Sequence, residues 1–249
     1  MVKLKLYDVR KYVEKNIDGF HKPRINKLKE LKLSDILLKK NPYLFRAKNI
    51  LSAQDLVQVI VDAYISSQEE TIFGTFLEGL AIFVCEKVFN GKKSAAEGID
   101  LEFQRDGIIY IVTIKSGTNW GNGSQISKMK EDFRKAKKIL GTNTSKKNIV
   151  AVNGCCYGRI NKIDKGEYQK IAGQKFWEFI SGSPNLYIEI VEPLGHQAKE
   201  RNNEFINSYY QLLNQFTLQF ANEFCIDGKI DWDKLLKFNS GKDKIKVNI

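Results

Sequence analysis

Two runs with strand character, residues 99–103 and 108–115, are joined by Arg105-Asp106-Gly107, and this pairing constrains the fold more than any other feature of the chain. An Asp-Gly pair between apolar, β-branched runs supplies the positive-φ residues that a tight hairpin turn requires. A two-stranded hairpin is marginal alone, so further strands or helices must cover it. Alternation along the strands puts Asp100 and Glu102 on one face, with Ile99, Leu101 and Phe103 on the other. In the second strand Thr113 and Lys115 share a face opposite Val112 and Ile114.

Helical patterns flank the hairpin. Ser52 and Asp55, followed by Leu56, Val59, Ile60 and Ala63, give a capped amphipathic helix over 51–65. A second helix is expected over 68–89, opened by Ser67 with Glu70 and closed by Gly91. After a loop of Gly and Asn, Ile126, Met129, Phe133, Ala136 and Leu140 recur at helical spacing. Residues 148–153 read as a buried strand, 175–180 as a short aromatic helix and 186–191 as another strand. Beyond Gly195 one stripe is formed by Phe205, Tyr209, Leu212, Phe216 and Phe220. This order indicates an α/β domain with a mixed sheet. A basic helical arm over 1–50, broken at Pro23 and Pro42, precedes a core over 51–195, and a helical extension of that core follows over 196–249.

With 43% hydrophobic and 28% charged residues among its 249, the chain has the composition of a globular protein. Its longest apolar runs are too short to cross a bilayer. The N-terminus mixes charge with apolar residues, unlike a signal peptide, which places the protein in the cytoplasm. Cys85, Cys155, Cys156 and Cys225 fit neither a disulfide framework nor a zinc pattern and read as buried thiols. Forty Lys and Arg against 29 Asp and Glu leave a net charge of +11. Such a surplus points to a polyanionic partner, because phosphate contacts release condensed counterions. DNA, RNA and acidic lipid all satisfy it.

If the hairpin pairs as its turn requires, Asp100, Glu102 and Lys115 converge at the open end of the sheet. Mg²⁺ takes oxygen from one or two carboxylates plus substrate phosphate, and a neighbouring ammonium can orient water or neutralise a phosphorane-like transition state. The same charges also suit a solvated hairpin face. Position alone does not separate the two readings.

The strings Glu97-Gly98-Ile99-Asp100-Leu101-Glu102-Phe103, Tyr110-Ile111-Val112-Thr113-Ile114-Lys115-Ser116-Gly117 and Asn119-Trp120-Gly121-Asn122 resemble the catalytic core of the PD-(D/E)XK nucleases. More narrowly, the chain resembles the PmeII-type restriction endonucleases. That likeness runs from about residue 41 to 233, and includes Gly154-Cys155-Cys156-Tyr157-Gly158 and Gly173-Gln174-Lys175-Phe176-Trp177.

The resemblance implies a restriction-endonuclease-like central mixed sheet flanked by helices. It implies Mg²⁺-dependent, sequence-specific hydrolysis of double-stranded DNA, with no small-molecule cofactor and no membrane. Asp100 matches the motif's metal-binding acid and Lys115 its lysine, with the Ile114 carbonyl as a further metal ligand. Ile99 stands where proline is usual. Thr113 stands where a second acid belongs, so another carboxylate must serve. Glu102 lies roughly 7 Å along the strand on the right face, and Glu78 comes from the preceding helix among Gly74, Thr75 and Gly79. Glu78 is the favoured candidate and Glu131 a third, while Glu70 is left to its cap.

The loop 117–123 opens a helix, where backbone amides can cradle phosphate. Asn119, Trp120, Asn122, Ser124 and Gln125 are expected to touch DNA there, with Lys128 and Lys135 on the basic face of the following helix. The remaining cations of that face are Lys130, Arg134, Lys137 and Lys138. His21 and His196 lack ligand spacing and receive no catalytic task. A palindromic duplex matches a homodimer, to which the aromatic stripe of 205–220 either contributes an interface or supplies core. The alternatives are a repair or junction-resolving nuclease, and a DNA-binding protein whose catalytic site has decayed.

Overall fold

The structure, a computed structural model, describes residues 3–143 and 148–249; Met1 and Val2, where the N-terminal reading begins, lie outside them. The chain runs α1 (Leu6–Asn16), α2 (Asp18–Lys29), α3 (Leu33–Lys39), α4 (Pro42–Ala47), α5 (Ala53–Phe89), β1 (Lys92–Lys93), β2 (Leu101–Arg105), β3 (Ile108–Lys115), α6 (Gly123–Asn143), β4 (Asn148–Cys155), β5 (Gln169–Ala172), α7 (Gln174–Ser181), α8 (Leu186–Glu189), α9 (Val191–Leu194), α10 (Ala198–Phe224), β6 (Cys225–Ile226), β7 (Lys229–Ile230) and α11 (Trp232–Ser240). It divides into two compact units, one of residues 1–18 with 73–196, the other of 19–72 with 197–249. Helix α5 passes from the second unit into the first. The expected arm, core and extension each contribute residues to both units, the extension only His196 to the first.

The first unit is built on a five-stranded mixed sheet in the order β1-β2-β3-β4-β5, antiparallel up to β3 and parallel beyond. Asp106 and Gly107, at φ 51° and 76°, form the turn of the hairpin and bring Arg105 opposite Ile108. That turn fixes the register. It also moves the first strand two residues onward from the expected 99–103, leaving Ile99 and Asp100 just before β2, although the Asp100 N–H still donates to the Val112 carbonyl. One face, with Ile111 and Ala151, packs under Met129, Phe133 and Ala136 of α6. On the other, Phe103 contacts Phe89 of α5 and Phe179 of α7, and Gly154 lies so close to Phe176 that a Cβ would collide with its ring. The sheet is thus flanked by helices on both faces.

Ser52 caps α5 as expected, its Oγ accepting the Asp55 N–H at 3.0 Å. The expected break at Ser67 does not occur. No Gly or Pro interrupts 65–68, and serine weakens a helix interior by only a fraction of a kcal/mol, so the helix continues and the Ser67 carbonyl accepts the Thr71 hydroxyl at 3.0 Å. Its end comes at Asn90 in the left-handed region, with the Gly91 N–H returning to the Cys85 carbonyl. Residues 186–191, expected as a strand, form α8 and the start of α9. Buried Leu186 and Ile190 are spaced by four, while Tyr187, Ile188 and Val191 are exposed; so short an apolar run does not distinguish the two periods in sequence.

The second unit is helical. Phe205, Leu212, Phe216, Phe220 and Phe224 of α10 are buried with Ile36 and Leu37 of α3, Phe45 of α4 and Leu56 and Ile60 of α5. The aromatic stripe is therefore core, not open surface. Cys85, Cys155 and Cys156 are buried and Cys225 partly so, all as free thiols. Burial pushes the Cys85 thiol up to about 12 and the Cys155 thiol up to about 11. Among the described residues no helix is long and apolar enough to cross a membrane.

Candidate active site

The hairpin delivers Asp100 to the end of β3. Its Oδ2 accepts the backbone N–H of Ile114 at 2.6 Å, which fixes the carboxylate against the last residues of the strand. Backbone polar groups of alternate strand residues turn toward the same edge. Val112 and Ile114 therefore both face Asp100, and the Ile114 carbonyl opens on the same side as its N–H.

Glu78 approaches from α5. The helix can come close because Gly74 and Gly79 leave it bare: a Cβ on Gly74 would stand 2.8 Å from the Ser116 hydroxyl, and one on Gly79 2.7 Å from the Tyr12 hydroxyl. Burial pushes the Glu78 carboxyl above the usual range, and the Asp100 charge pushes it further, with Lys93 and Lys115 pulling back. Asp100 is raised as well, chiefly by burial and against the Ile114 hydrogen bond and the same two lysines. Two half-buried acids and two ammonium groups thus share one electrostatic neighbourhood.

Glu102 is engaged elsewhere. Its two oxygens meet Lys92 Nζ at 2.7 Å and the Ser94 hydroxyl at 3.2 Å, across the β1–β2 pair. Thr113 is also occupied. It is 2% exposed, with its Oγ1 3.6 Å from the Met129 sulfur and accepting Asn153 Nδ2 at 3.1 Å. Glu131 pairs with Lys135 at 2.6 Å on the outer surface of α6.

The loop after β3 folds back over the sheet. Trp120 is half-buried and donates its indole N–H to Asn153 Oδ1 at 3.1 Å, with Lys115 Nζ 5.2 Å from its ring centroid. Asn122 caps α6: its Oδ1 accepts the Ser124 hydroxyl and the Gln125 N–H, while Gln125 Oε1 accepts the Asn122 N–H. This reciprocal box satisfies the groups expected to reach phosphate, although Asn119, Asn122, Ser124 and Gln125 are all exposed. The basic face of α6 is largely neutralised. Lys128 meets Asp132 and Glu97, Lys135 meets Glu131, and Lys130 and Arg134 share Glu167.

Sequence reasoning missed Lys93 and Asn153. A two-residue edge strand carries no periodicity, so no pattern in the sequence marks Lys92 and Lys93. Asn153 did give a signal, as a polar residue closing the apolar run 149–152. A cavity of about 710 Å³ lies nearby, lined by Leu77, Cys156, Tyr157, Arg159, Lys175 and Tyr187. Neither Asp100 nor Lys115 lines it.

The profile of the type II restriction endonuclease EcoO109I matches residues 7–202, the greater part of the chain. The chain belongs to this family. No curated protein matches it closely enough to count as a relative. Membership in the EcoO109I family makes the chain a nuclease, a hydrolase that acts on double-stranded DNA. The match spans nearly all of the sheet-bearing unit and, in the helical unit, 19–72 with the first residues of α10. Enzymes of this class generally use Mg²⁺. Among the described residues no three His, Cys, Asp or Glu side chains converge, but Mg²⁺ is commonly held by one or two carboxylates with water and substrate phosphate. Two acids that burial holds above their usual range, with a carbonyl beside them, are a donor set that such an ion fits.

Proposed function

We propose that the protein hydrolyses both strands of duplex DNA at one specific sequence, with Mg²⁺, as a cytoplasmic homodimer, and that it is a restriction endonuclease of the PmeII type. The observation that carries this reading is the Asp100 carboxylate fastened to the Ile114 N–H, with Glu78 and Lys115 in its field. Asp100, Glu78 and the Ile114 carbonyl would hold Mg²⁺, which supplies Lewis-acid polarisation of the phosphate and a lowered pKa for bound water.

The remaining work falls to the chain. Asp100 is held in one orientation by its backbone bond, so it presents its free lone pairs without a search through rotamers. Lys115 places an ammonium where negative charge accumulates on the phosphate, the type of stabilisation that contributes most when water is excluded. Glu78 replaces the acid missing at Thr113, whereas Glu102 holds the edge strand through Lys92 and Ser94. Asn119 and the exposed start of α6 would meet the DNA backbone. Lys128 and Lys135 would join only by exchanging Asp132 and Glu131 for phosphate.

Incubating the purified protein with phage DNA and Mg²⁺, then sequencing fragment ends, tests the reading. Discrete ends within one recurrent sequence are expected. Cuts at branches or lesions alone would indicate a structure-specific nuclease, and intact DNA a site without activity.

A further inference from the structure

We infer that Trp120, clamped by Asn153, is the positioning residue that sets the Lys115 ammonium over the active site, in place of the direct DNA contact expected of this indole. The inference rests on the proposed role of Lys115, but its geometry stands apart from that role.

The clamp begins in the sheet. Thr113 and Asn153 face each other across the parallel β3–β4 pair, two residues before Lys115 and Cys155. Asn153 is 1% exposed, so every polar atom of its amide needs a partner. An indole N–H only donates, which requires Oδ1 to face Trp120, at 3.1 Å. Nδ2 then points to Thr113, reaching its Oγ1 at 3.1 Å and its carbonyl at 3.5 Å. The amide accepts from the indole through its oxygen and donates to the threonine through its nitrogen, two separate atoms facing two partners. At the position where the family motif has an acid, Thr113 anchors this network instead.

The loop is fastened on both sides of the indole. Lys170 Nζ donates to the Thr118 carbonyl at 2.9 Å, and Asn122 caps α6 two residues after Trp120. Between them Gly121 takes φ 75°, a conformation that turns the chain back toward the sheet. Packed against the buried cluster to which Met129 and Phe133 of α6 belong, the ring has little freedom of its own. Lys115 Nζ lies 5.2 Å from its centroid, within the range where the ring quadrupole attracts an ammonium, and tryptophan gives the strongest such attraction. A lysine on a flexible stem, with no carboxylate at Thr113 to hold it, is thereby biased toward the ring.

The test keeps the ring, removes it, or changes only its electrons. In the full-length protein, Trp120→Phe retains an aromatic face, Trp120→Leu removes it, and fluorinated tryptophans introduced at position 120 weaken the quadrupole at nearly constant shape. Single-turnover cleavage at saturating DNA and Mg²⁺ is expected to fall about 10- to 100-fold in Trp120→Leu, as for other residues that orient a catalytic group. Trp120→Phe, which keeps a face but not the bond to Asn153, should recover only part of that loss, and each added fluorine on the tryptophan should slow cleavage further, while DNA affinity stays within about twofold. A readout independent of cleavage is the ring-current shift of the Lys115 Cε protons, expected in the native protein, diminished in Trp120→Phe, which keeps an aromatic face but loses the bond to Asn153, and lost in Trp120→Leu. Asn153→Ala should diminish it. Weakened binding with an unchanged saturated rate would overturn the inference and make Trp120 a DNA contact; a rate indifferent to fluorine, or a native Lys115 without a ring-current shift, would overturn it too. Should the native protein cut no DNA, the proposed function fails, and the proton shift still decides where Lys115 sits.

Discussion

Asp100 is bound through its side chain to the backbone N–H of Ile114 at 2.6 Å, fourteen residues away along the hairpin. The proposed catalytic acid and the strand that carries Lys115 are therefore joined directly, and the two-residue turn at Asp106-Gly107 sets their alignment. Changes in the turn should disturb catalysis without touching the site.

Glu78 and Glu102 separate two readings of the missing acid. Glu78→Gln is expected to lower the single-turnover rate by about two orders of magnitude, the loss for a group that places water or metal. Glu102→Gln should cost much less, because its partners are Lys92 and Ser94. Measuring both at saturating Mg²⁺ checks this, and an unimpaired Glu78→Gln beside an inactive Glu102→Gln would reverse the assignment.

The pH dependence follows from the raised carboxyls of Asp100 and Glu78. A raised pKa means protonation at higher pH than an ordinary acid, so cleavage at limiting Mg²⁺ should fade on the acid side above the usual carboxylate range. Because a cation competes with protons for the same oxygens, rising Mg²⁺ should move that limb to lower pH. Rate profiles at two Mg²⁺ concentrations would show the displacement.

The same shifts bear on stability. A carboxylate whose folded pKa exceeds its unfolded one destabilises the folded chain above the folded value, and the penalty vanishes as pH falls below the unfolded value. Asp100→Asn and Glu78→Gln should therefore raise Tm at pH 8 in the absence of Mg²⁺, and the gain should shrink toward pH 4. Calorimetry at the two pH values measures it.

Salt dependence reports which cations meet phosphate. Each neutralised phosphate contributes a log-log slope near −0.9. Lys128→Glu with Lys135→Glu should weaken binding alike for all sequences. The slope should change by less than the roughly 1.8 expected for two free cations, since both lysines already have acidic partners on α6. A change in site preference alone would move the phosphate surface elsewhere.

What the sequence made legible follows the reach of local rules. The hairpin, the Ser52 cap and the α6 stripe rest on turn chemistry, capping and period, and all three stand in the structure. Residues 186–191 were misread because Leu186 and Ile190 satisfy a helix in a run that an apolar strand would also satisfy. At the site, strand alternation alone left Asp100 and Lys115 open between a metal site and a solvated face, and their proposed roles rest on the family motif. The partners of Trp120 and Glu102 depend on β1 and β4, which approach only through tertiary folding, so no spacing along the chain encodes them.

Cleavage by the native protein and by Asp100→Asn, on the same duplex with Mg²⁺ and again with the metal chelated, tests the central claim most directly. The account predicts discrete ends from the native protein with Mg²⁺, none after chelation, and none from Asp100→Asn while it still binds the duplex and melts no lower than the native protein. Asp100→Asn cutting at the native rate would contradict the account.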